Sequence, residues 1–344
     1  MPRSDAFVVI SRIARKSMQT LTTSSIRMPP KTEADLRSDI VSGLTSPLKR
    51  IPPKYLYDDL GSSLFDTICR LPWYTITRSE LALLKRESSS ITKHLGSNPS
   101  IVELGGGSGE KLAVLVRSLA ATGVPVRTDL VDISGSALET AKRTLSQYQG
   151  VSIFCHESSY VEGLRAAVEH FDEDEPAMVV FLGSNIGNLA PDEVDQFLRD
   201  VRNCLRANDH FLVGVDLVKP ENDLVQAYND PLGVTAAFNR NLLVRLNREL
   251  DADFCLDQFN YHAAWNSSQS RVEMYLVSQT EQTVCLTGIG TCVRLLAGEA
   301  ILTESSYKYR RRDIQAIGEK AGFICFDQWI EDEAQFSLTL FGVQ

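Results

Sequence analysis

The sequence predicts an α/β protein built on a doubly wound parallel sheet, and three observations point there. Apolar runs alternate with amphipathic stretches from Ile101 to Leu217. Residues 101–111 read Ile-Val-Glu-Leu-Gly-Gly-Gly-Ser-Gly-Glu-Lys, a short strand that ends in an acid and a glycine run before a helix opens. Two further apolar runs, 323–329 and 336–343, close the chain with the same strand character. Alternation of this kind builds a parallel sheet whose ligands sit at the carboxyl ends of its strands.

Helical spacing runs from Glu33 to Leu44, and Pro47, Pro52 and Pro53 then break the chain before a second helical stretch around Leu64–Cys69. Strands are expected at 101–104, 126–131, 151–155, 177–182 and 210–217, with helices at 110–121, 135–147, 160–170 and 192–205 between them. After Lys219-Pro220 the rhythm changes. Helices at 221–229 and 235–250 precede strand-like runs at 258–266, 271–279 and 283–288, with hairpin turns suggested by Asn266-Ser267-Ser268. This stretch reads as a second α+β lobe. The exposed-looking run Arg310-Arg311-Arg312 leads into a helix at 313–321 and the closing strands.

Glycines 105, 107 and 109 let the backbone turn sharply and come close to a ligand, while the helix behind them aims free N–H groups at the turn. A dinucleotide fingerprint begun at Gly105 would need glycine at 110, where the chain has Glu110. The form E-x-G-x-G-x-G suits S-adenosylmethionine better; a dinucleotide site and a purely structural turn stay open on these residues alone. Asp132 follows the second strand in the region where such sheets place an acid on ribose hydroxyls. With Glu103 it forms a candidate cofactor pair.

A net charge of −9 and a pI near 5.2 disfavour a phosphate-backbone partner. No apolar stretch is long enough to span a bilayer. The seven cysteines form an odd set with no C-x-x-C pair, which reads as reduced core residues with no metal site and fits a cytoplasmic setting. Residues 1–28 carry five basic residues against Asp5 and many Ser and Thr, a pattern shared by transit peptides and by plain N-terminal tails. The acidic run 172–175 reads as a solvated loop.

The strand at 177–182 runs into Gly183-Ser184-Asn185-Ile186-Gly187-Asn188, which sets backbone and amide groups at the sheet's carboxyl edge beside the cofactor. Tyr57, Tyr74 and Tyr228 combine aromatic bodies with polar tips, and half-buried packing would explain each equally well.

Taken together, these segments resemble the histidine Nα-methyltransferases of ergothioneine biosynthesis, from about Glu33 to the C-terminus. The markers are residues 51–58 (IPPKYLYD), Leu71-Pro72-Trp73-Tyr74 with Thr77-Arg78-Ser79-Glu80, the Glu103–Lys111 turn, and 181–189. Asp216-Leu217-Val218-Lys219, Ala227-Tyr228-Asn229-Asp230, 233–241 and 303–309 (TESSYKY) continue them. The resemblance implies a Rossmann-like class I AdoMet methyltransferase sheet and trimethylation of L-histidine to hercynine. It implies an AdoMet domain of residues 79–217 and 309–344, a substrate lobe of 31–78 and 218–308, and a tail at 1–30. Asn188 and Tyr228 would hold the substrate carboxylate, beside Gly183. Tyr74, with Tyr57 nearby, would orient the amine. Glu304 and Ser306 would read the imidazole, which offers one donor and one acceptor, and Phe65 and Met274 would line the pocket. Glu103, Gly105, Gly107, Lys111, Asp132, Ser159 and Tyr160 would surround the cofactor. A monomer is expected, with no nucleic-acid or membrane partner and with sulfur insertion left to a separate enzyme. The rivals are methylation of another free amino acid such as a prenylated tryptophan, a noncatalytic AdoMet-binding subunit, and a dehydrogenase. The Glu304 and Ser306 pair favours histidine, since an indole lacks the second ring nitrogen.

Two positions depart from the family pattern. Ser159-Tyr160 stands where an Asp and an aromatic usually contact adenine, and Asn185 stands where Thr is common. Serine lacks the charge-assisted strength of a carboxylate, so Ser159→Asp is expected to tighten AdoMet binding in calorimetry. An unchanged affinity would refute this.

Overall fold

The computed structural model describes residues 25–27, 33–172 and 174–343. Most of residues 1–28, with their targeting-like pattern, lies outside the described residues.

An eight-stranded sheet forms the centre. Its strands are β1 (Ser25–Arg27), β2 (Ser100–Leu104), β3 (Val126–Asp132), β4 (Val151–Glu157), β5 (Ala177–Phe181), β6 (His210–Asp216), β12 (Ile324–Glu331) and β13 (Phe336–Gly342). They lie in the order β1-β4-β3-β2-β5-β6-β13-β12. β13 runs antiparallel to both its neighbours, and the other pairings are parallel. The chain winds outward from β2 through β3 to β4, then returns to place β5 on the other side of β2. That reversal creates a switch point between β2 and β5, where doubly wound sheets bind their ligands.

Every residue of β2, β5, β6 and β13 is buried, as expected of strands covered on both faces. Helices α3 (Thr75–Thr92), α4 (Glu110–Ala120) and α5 (Gly135–Leu145) cover one face through Leu83, Leu84, Leu112, Leu115 and Leu138. Helices α6 (Tyr160–Val168), α7 (Pro191–Cys204) and α10 (Arg311–Lys320) cover the other through Leu164, Val194, Leu198 and Ile314. α3 has no counterpart in the sequence-based expectation. Its apolar positions are diluted by Arg78, Lys85, Arg86, Glu87 and three consecutive serines, so its period is weak, and packing against α4 and the sheet is what holds it helical.

The first core continues without a break into the remaining elements. These are α1 (Glu33–Thr45), α2 (Asp59–Ile68), α8 (Glu221–Tyr228), α9 (Val234–Leu250), the hairpin of β9 (Gln282–Leu286) with β10 (Thr291–Leu295), and a three-stranded antiparallel sheet. In that sheet β8 (Arg271–Ser278) lies between β7 (Phe259–Asn266) and β11 (Ala300–Tyr307). Asp58 starts α2 by accepting the Gly61 N–H at 2.8 Å, and its carboxylate also receives Asn241 and Arg248 of α9. Residues 49–51 pair with Leu302 on the edge of β11. The segment before the glycine turn is thereby stitched to the segment after β6.

One expectation is corrected. Cys285 and Cys292 are not reduced: they lie opposite each other on β9 and β10, with Cα atoms 4.0 Å apart, and form a disulfide. The sequence reading stopped at 288 and missed β10, so it had no hairpin to bring the two cysteines together. Cys69, Cys155, Cys204, Cys255 and Cys325 are free, and Cys255 is exposed rather than in the core.

Gly214 on β6 is forced by its neighbour. A Cβ there would lie 1.9 Å from Glu80 Oε1. Gly214→Ala is therefore expected to lose about 1–3 kcal/mol of stability, the usual range for overpacking a filled core, measured by urea unfolding.

Candidate active site

The glycine turn has the backbone its residues allow. Gly105, Gly107 and Gly109 have φ of 69°, 56° and 73°, and the space beside Gly107 is open. Glu103, at the end of β2, is 1% exposed and both its carboxylate oxygens lack a hydrogen-bond partner. A Cβ on Gly106 would meet Glu103 Oε2, so this carboxyl lies directly against the turn. Burial, with Glu80 and Asp132 adding to it and Lys111 opposing, pushes Glu103 up to about 8. Asp132, at the end of β3, is pushed up to about 6 by burial against the pull of backbone N–H groups of Ser134, Gly107 and Ile133. A buried carboxyl and a partly buried one, flanking an open glycine turn, fit a ligand with an ammonium group and vicinal hydroxyls. S-adenosylmethionine has both.

The remaining candidate cofactor residues have assigned partners. Lys111 Nζ lies 2.7 Å from Glu80 Oε2, and Glu80 is wholly buried. Burial lowers the Lys111 pKa and Glu80 raises it further, for a net rise. The Ser159 hydroxyl donates to Glu162 Oε2 at 2.6 Å, which puts a carboxylate beside the position where the family usually carries Asp. Tyr160 packs edge-on against Phe181 with ring centroids 5.1 Å apart, and its ring edge lies against Gly105.

On the β5 side, Gly183 and Ser184 are both left-handed, with φ of 81° and 59°. A left-handed serine costs energy that its surroundings must repay. Here the Gly183 N–H donates to both oxygens of Glu80, at 2.9 and 2.8 Å, and the Ser184 hydroxyl accepts the Asp216 N–H at 3.0 Å. The 3-10 turn Asn185–Asn188 follows. Asn185 donates to the Gly105 carbonyl at 3.1 Å and ties this turn to the glycine turn. The Asn188 amide has no protein partner among the described residues and is only partly buried.

Beyond it stands an aromatic wall. Tyr57 meets Phe65 (5.5 Å between centroids) and Phe238 (5.4 Å), Phe65 meets Tyr74 (6.2 Å), and Tyr74 meets Tyr228 (6.0 Å). The Tyr74 hydroxyl has no hydrogen-bond partner among the described residues, while Tyr57 lies near enough to Glu304 for the two to shift each other's titration. Glu304 sits beside an irregularity in β11, opposite the buried Met274 on β8. Burial pushes Glu304 up to about 7, with Lys308 and Tyr57 pulling it down. Ser306 Oγ and the Tyr228 hydroxyl are 2.8 Å apart. Ring contacts thus link Tyr57, Phe65, Tyr74 and Tyr228, Tyr228 reaches Ser306, and Glu304 pairs with Met274 across β11 and β8, while Asn185 ties the turn that carries Gly183 and Asn188 to Gly105.

Four residues here escaped site assignment from sequence: Glu80, Asp216, Phe238 and Lys308. Each lies inside one of the segments that carried the resemblance, yet nothing local showed that it was buried. Glu80 and Lys308 read as ordinary charged surface residues; tertiary packing puts their side chains at 0% exposure.

A doubly wound sheet with an acid-and-glycine turn at its switch point defines an S-adenosylmethionine-dependent methyltransferase. The model of the family described as histidine-specific methyltransferase, SAM-dependent, matches residues 36–343, and the chain belongs to that family. It is 40% identical to the histidine N-alpha-methyltransferase of Mycolicibacterium smegmatis, over 89% of this chain and 94% of that one. It is 28% identical to ergothioneine biosynthesis protein 1 of Schizosaccharomyces pombe, over 84% of this chain and 39% of that protein. It is also 26% identical to the L-tryptophan methyltransferase trpM of Psilocybe serbica, over 88% and 91%.

The raised carboxyls set a pH dependence. Between about pH 4.5 and 8, the folded protein keeps protons on Glu103 and Glu304 that the unfolded chain has lost, so these groups make stability fall as pH rises through that window. Glu103→Gln is expected to flatten the fall in melting temperature between pH 5 and pH 8 in the ligand-free protein. An unaltered slope would refute the assignment.

Proposed function

We propose that this enzyme methylates the α-amine of free L-histidine three times to give hercynine, within ergothioneine biosynthesis. The observation that carries the substrate is the pairing of Glu304 with Ser306, a carboxyl and a hydroxyl on one strand facing the aromatic wall. Together they can answer both ring nitrogens of an imidazole, Glu304 donating from its raised-pKa carboxyl and Ser306 accepting the ring N–H, and a site built this way rejects a ring that leaves one unanswered. The likeness to the mycobacterial enzyme, along almost the whole of both chains, supports the same reading.

S-adenosylmethionine supplies a methyl group already activated on its sulfonium. Glu103 would take the ammonium of its methionine portion, Asp132 its ribose hydroxyls, and the backbone of Gly105 and Gly107 its close approach, with Tyr160 and the Ser159–Glu162 pair at the adenine end. Lys111, held by Glu80, would act by fixing the turn at Gly183. Asn188 and Tyr228 would hold the substrate carboxylate, the one through a free amide and the other through its hydroxyl. Tyr74, with Tyr57 nearby, would orient the amine. Glu304, the buried carboxyl that acts on Tyr74, is assigned here to the imidazole, and the amine proton would leave to solvent. Phe65 and Met274 would exclude water from the ring pocket.

In this reading residues 31–78 and 218–308 form the substrate lobe, and 79–217 with 309–344 the AdoMet domain. The working form would be a cytoplasmic monomer, and sulfur insertion would fall to a separate enzyme. Gel filtration tests the first point. Import directed by residues 1–28 is tested by tracking a fluorescent fusion with and without them.

Incubating the protein with AdoMet and a panel of free amino acids, then weighing the products, tests the substrate. Histidine alone should gain one, two and three methyl groups; reaction of tryptophan derivatives instead would overturn the assignment. Tyr74→Phe should slow each methylation by about 3- to 10-fold, the worth of one neutral hydrogen bond. Unchanged rates would remove Tyr74 from that role.

A further inference from the structure

Lys308 follows β11 directly, and its side chain is entirely buried. Its ammonium lies 2.7 Å from the Tyr228 hydroxyl, 2.9 Å from Ser306 Oγ and 3.0 Å from Asp216 Oδ2. An ammonium has three protons and no lone pair, so it donates to all three oxygens. Asp216 is shared: its Oδ1 receives Lys219 at 2.6 Å, and Lys219 also donates to the Ala334 carbonyl. Burial by itself lowers the Lys308 pKa, but Asp216 and Tyr228 raise it further, and the net shift is upward. Lys308 stays charged at neutral pH.

Proton counting gives the consequence. Tyr228 and Ser306 each carry one hydroxyl proton, and one of the two is used in the 2.8 Å bond between them. Both oxygens already accept from Lys308, so the pair is left with a single proton to direct outward. Lys219, Asp216 and Lys308 together carry one net positive charge, which lies behind Tyr228 with no solvent at Lys308 to screen it.

We propose that Lys308, braced by Asp216 and Lys219, is a positioning residue for substrate recognition. It fixes the hydroxyl pair so that Tyr228 presents a proton to the substrate's carboxylate, and it adds a buried positive charge that selects an amino acid over its neutral derivatives. This rests on the reading of Tyr228 as a carboxylate contact. The ligand class follows from the chemistry: a small molecule with an anionic group next to its amine.

The test compares L-histidine with L-histidinamide, which lacks the anion, in wild type, Tyr228→Phe and Lys308→Met. Lys308→Met should raise KM for histidine by about 10-fold or more, as expected for loss of a charge-assisted contact. It should leave kcat within about 3-fold by the same reasoning, since no transition-state contact is removed. The preference for histidine over histidinamide should fall in parallel, with AdoMet affinity by calorimetry unchanged. If Lys308→Met slows both substrates equally and keeps the preference, Lys308 is merely structural and the proposal fails. If Tyr228→Phe also keeps the preference, the carboxylate role of Tyr228 is what has failed. Should the methionine variant not fold, Lys308→Gln, whose amide can still donate to Asp216, is read in the same way; failure of both to fold assigns Lys308 to stability and overturns the proposal.

Discussion

The carboxylate of Glu80 holds the centre of this molecule together. It comes from α3, lies at the switch point of the sheet with no exposure to water, and is bonded on one side by Lys111 and on the other by the Gly183 N–H. A buried carboxylate is tolerable only with such partners, and stripping a partner from a buried ion pair typically costs about 3–5 kcal/mol. Several features that look independent follow from it. Gly214 must lack a side chain to leave room for it. Gly183 must present its N–H to it with a left-handed backbone, and the turn that follows sends Asn185 toward Gly105. Lys111, in the first turn of the helix behind the glycines, is spoken for by Glu80 and so anchors that helix.

A second buried charge cluster repeats the arrangement on the far side. Gly214 and Asp216 are two apart on β6 and therefore face the same way. The first makes space for Glu80, and the second joins Lys219 and Lys308 beneath the Tyr228–Ser306 pair. One strand thus sets both the cofactor-side turn and the substrate-side hydroxyls. This coupling gives a physical reason for the elements after β6 to pack against the sheet: Tyr228 and Ser306 are braced, through Lys308, by an acid that belongs to the sheet.

The central elements were legible because their signals are local. Buried parallel strands are continuous apolar runs, and the glycine turn needs conformations that only glycine adopts easily, so the strands from 100 to 216 fall within two residues of their expected ends. What was missed lacked a local signal. α3 is polar through much of its length, β1 is too short to read, and β10 and β11 carry polar residues and lie among Gly288, Gly290 and Gly298 in a stretch that alternates only weakly. The disulfide between Cys285 and Cys292 was lost with β10, since only pairing across the hairpin makes those cysteines neighbours.

By itself, then, the sequence determined the sheet, the glycine turn with its acids Glu103 and Asp132, and the family, because each rests on residue types in a fixed order along the chain. Only the tertiary structure decided which charged residues go inside. Nothing near Glu80 or Lys308 in sequence distinguishes them from solvated neighbours; they are buried because Lys111, Gly183, Asp216 and Tyr228 arrive from other elements to partner them. Burial of a charge is a property of its partners, and those partners are brought together only by the fold.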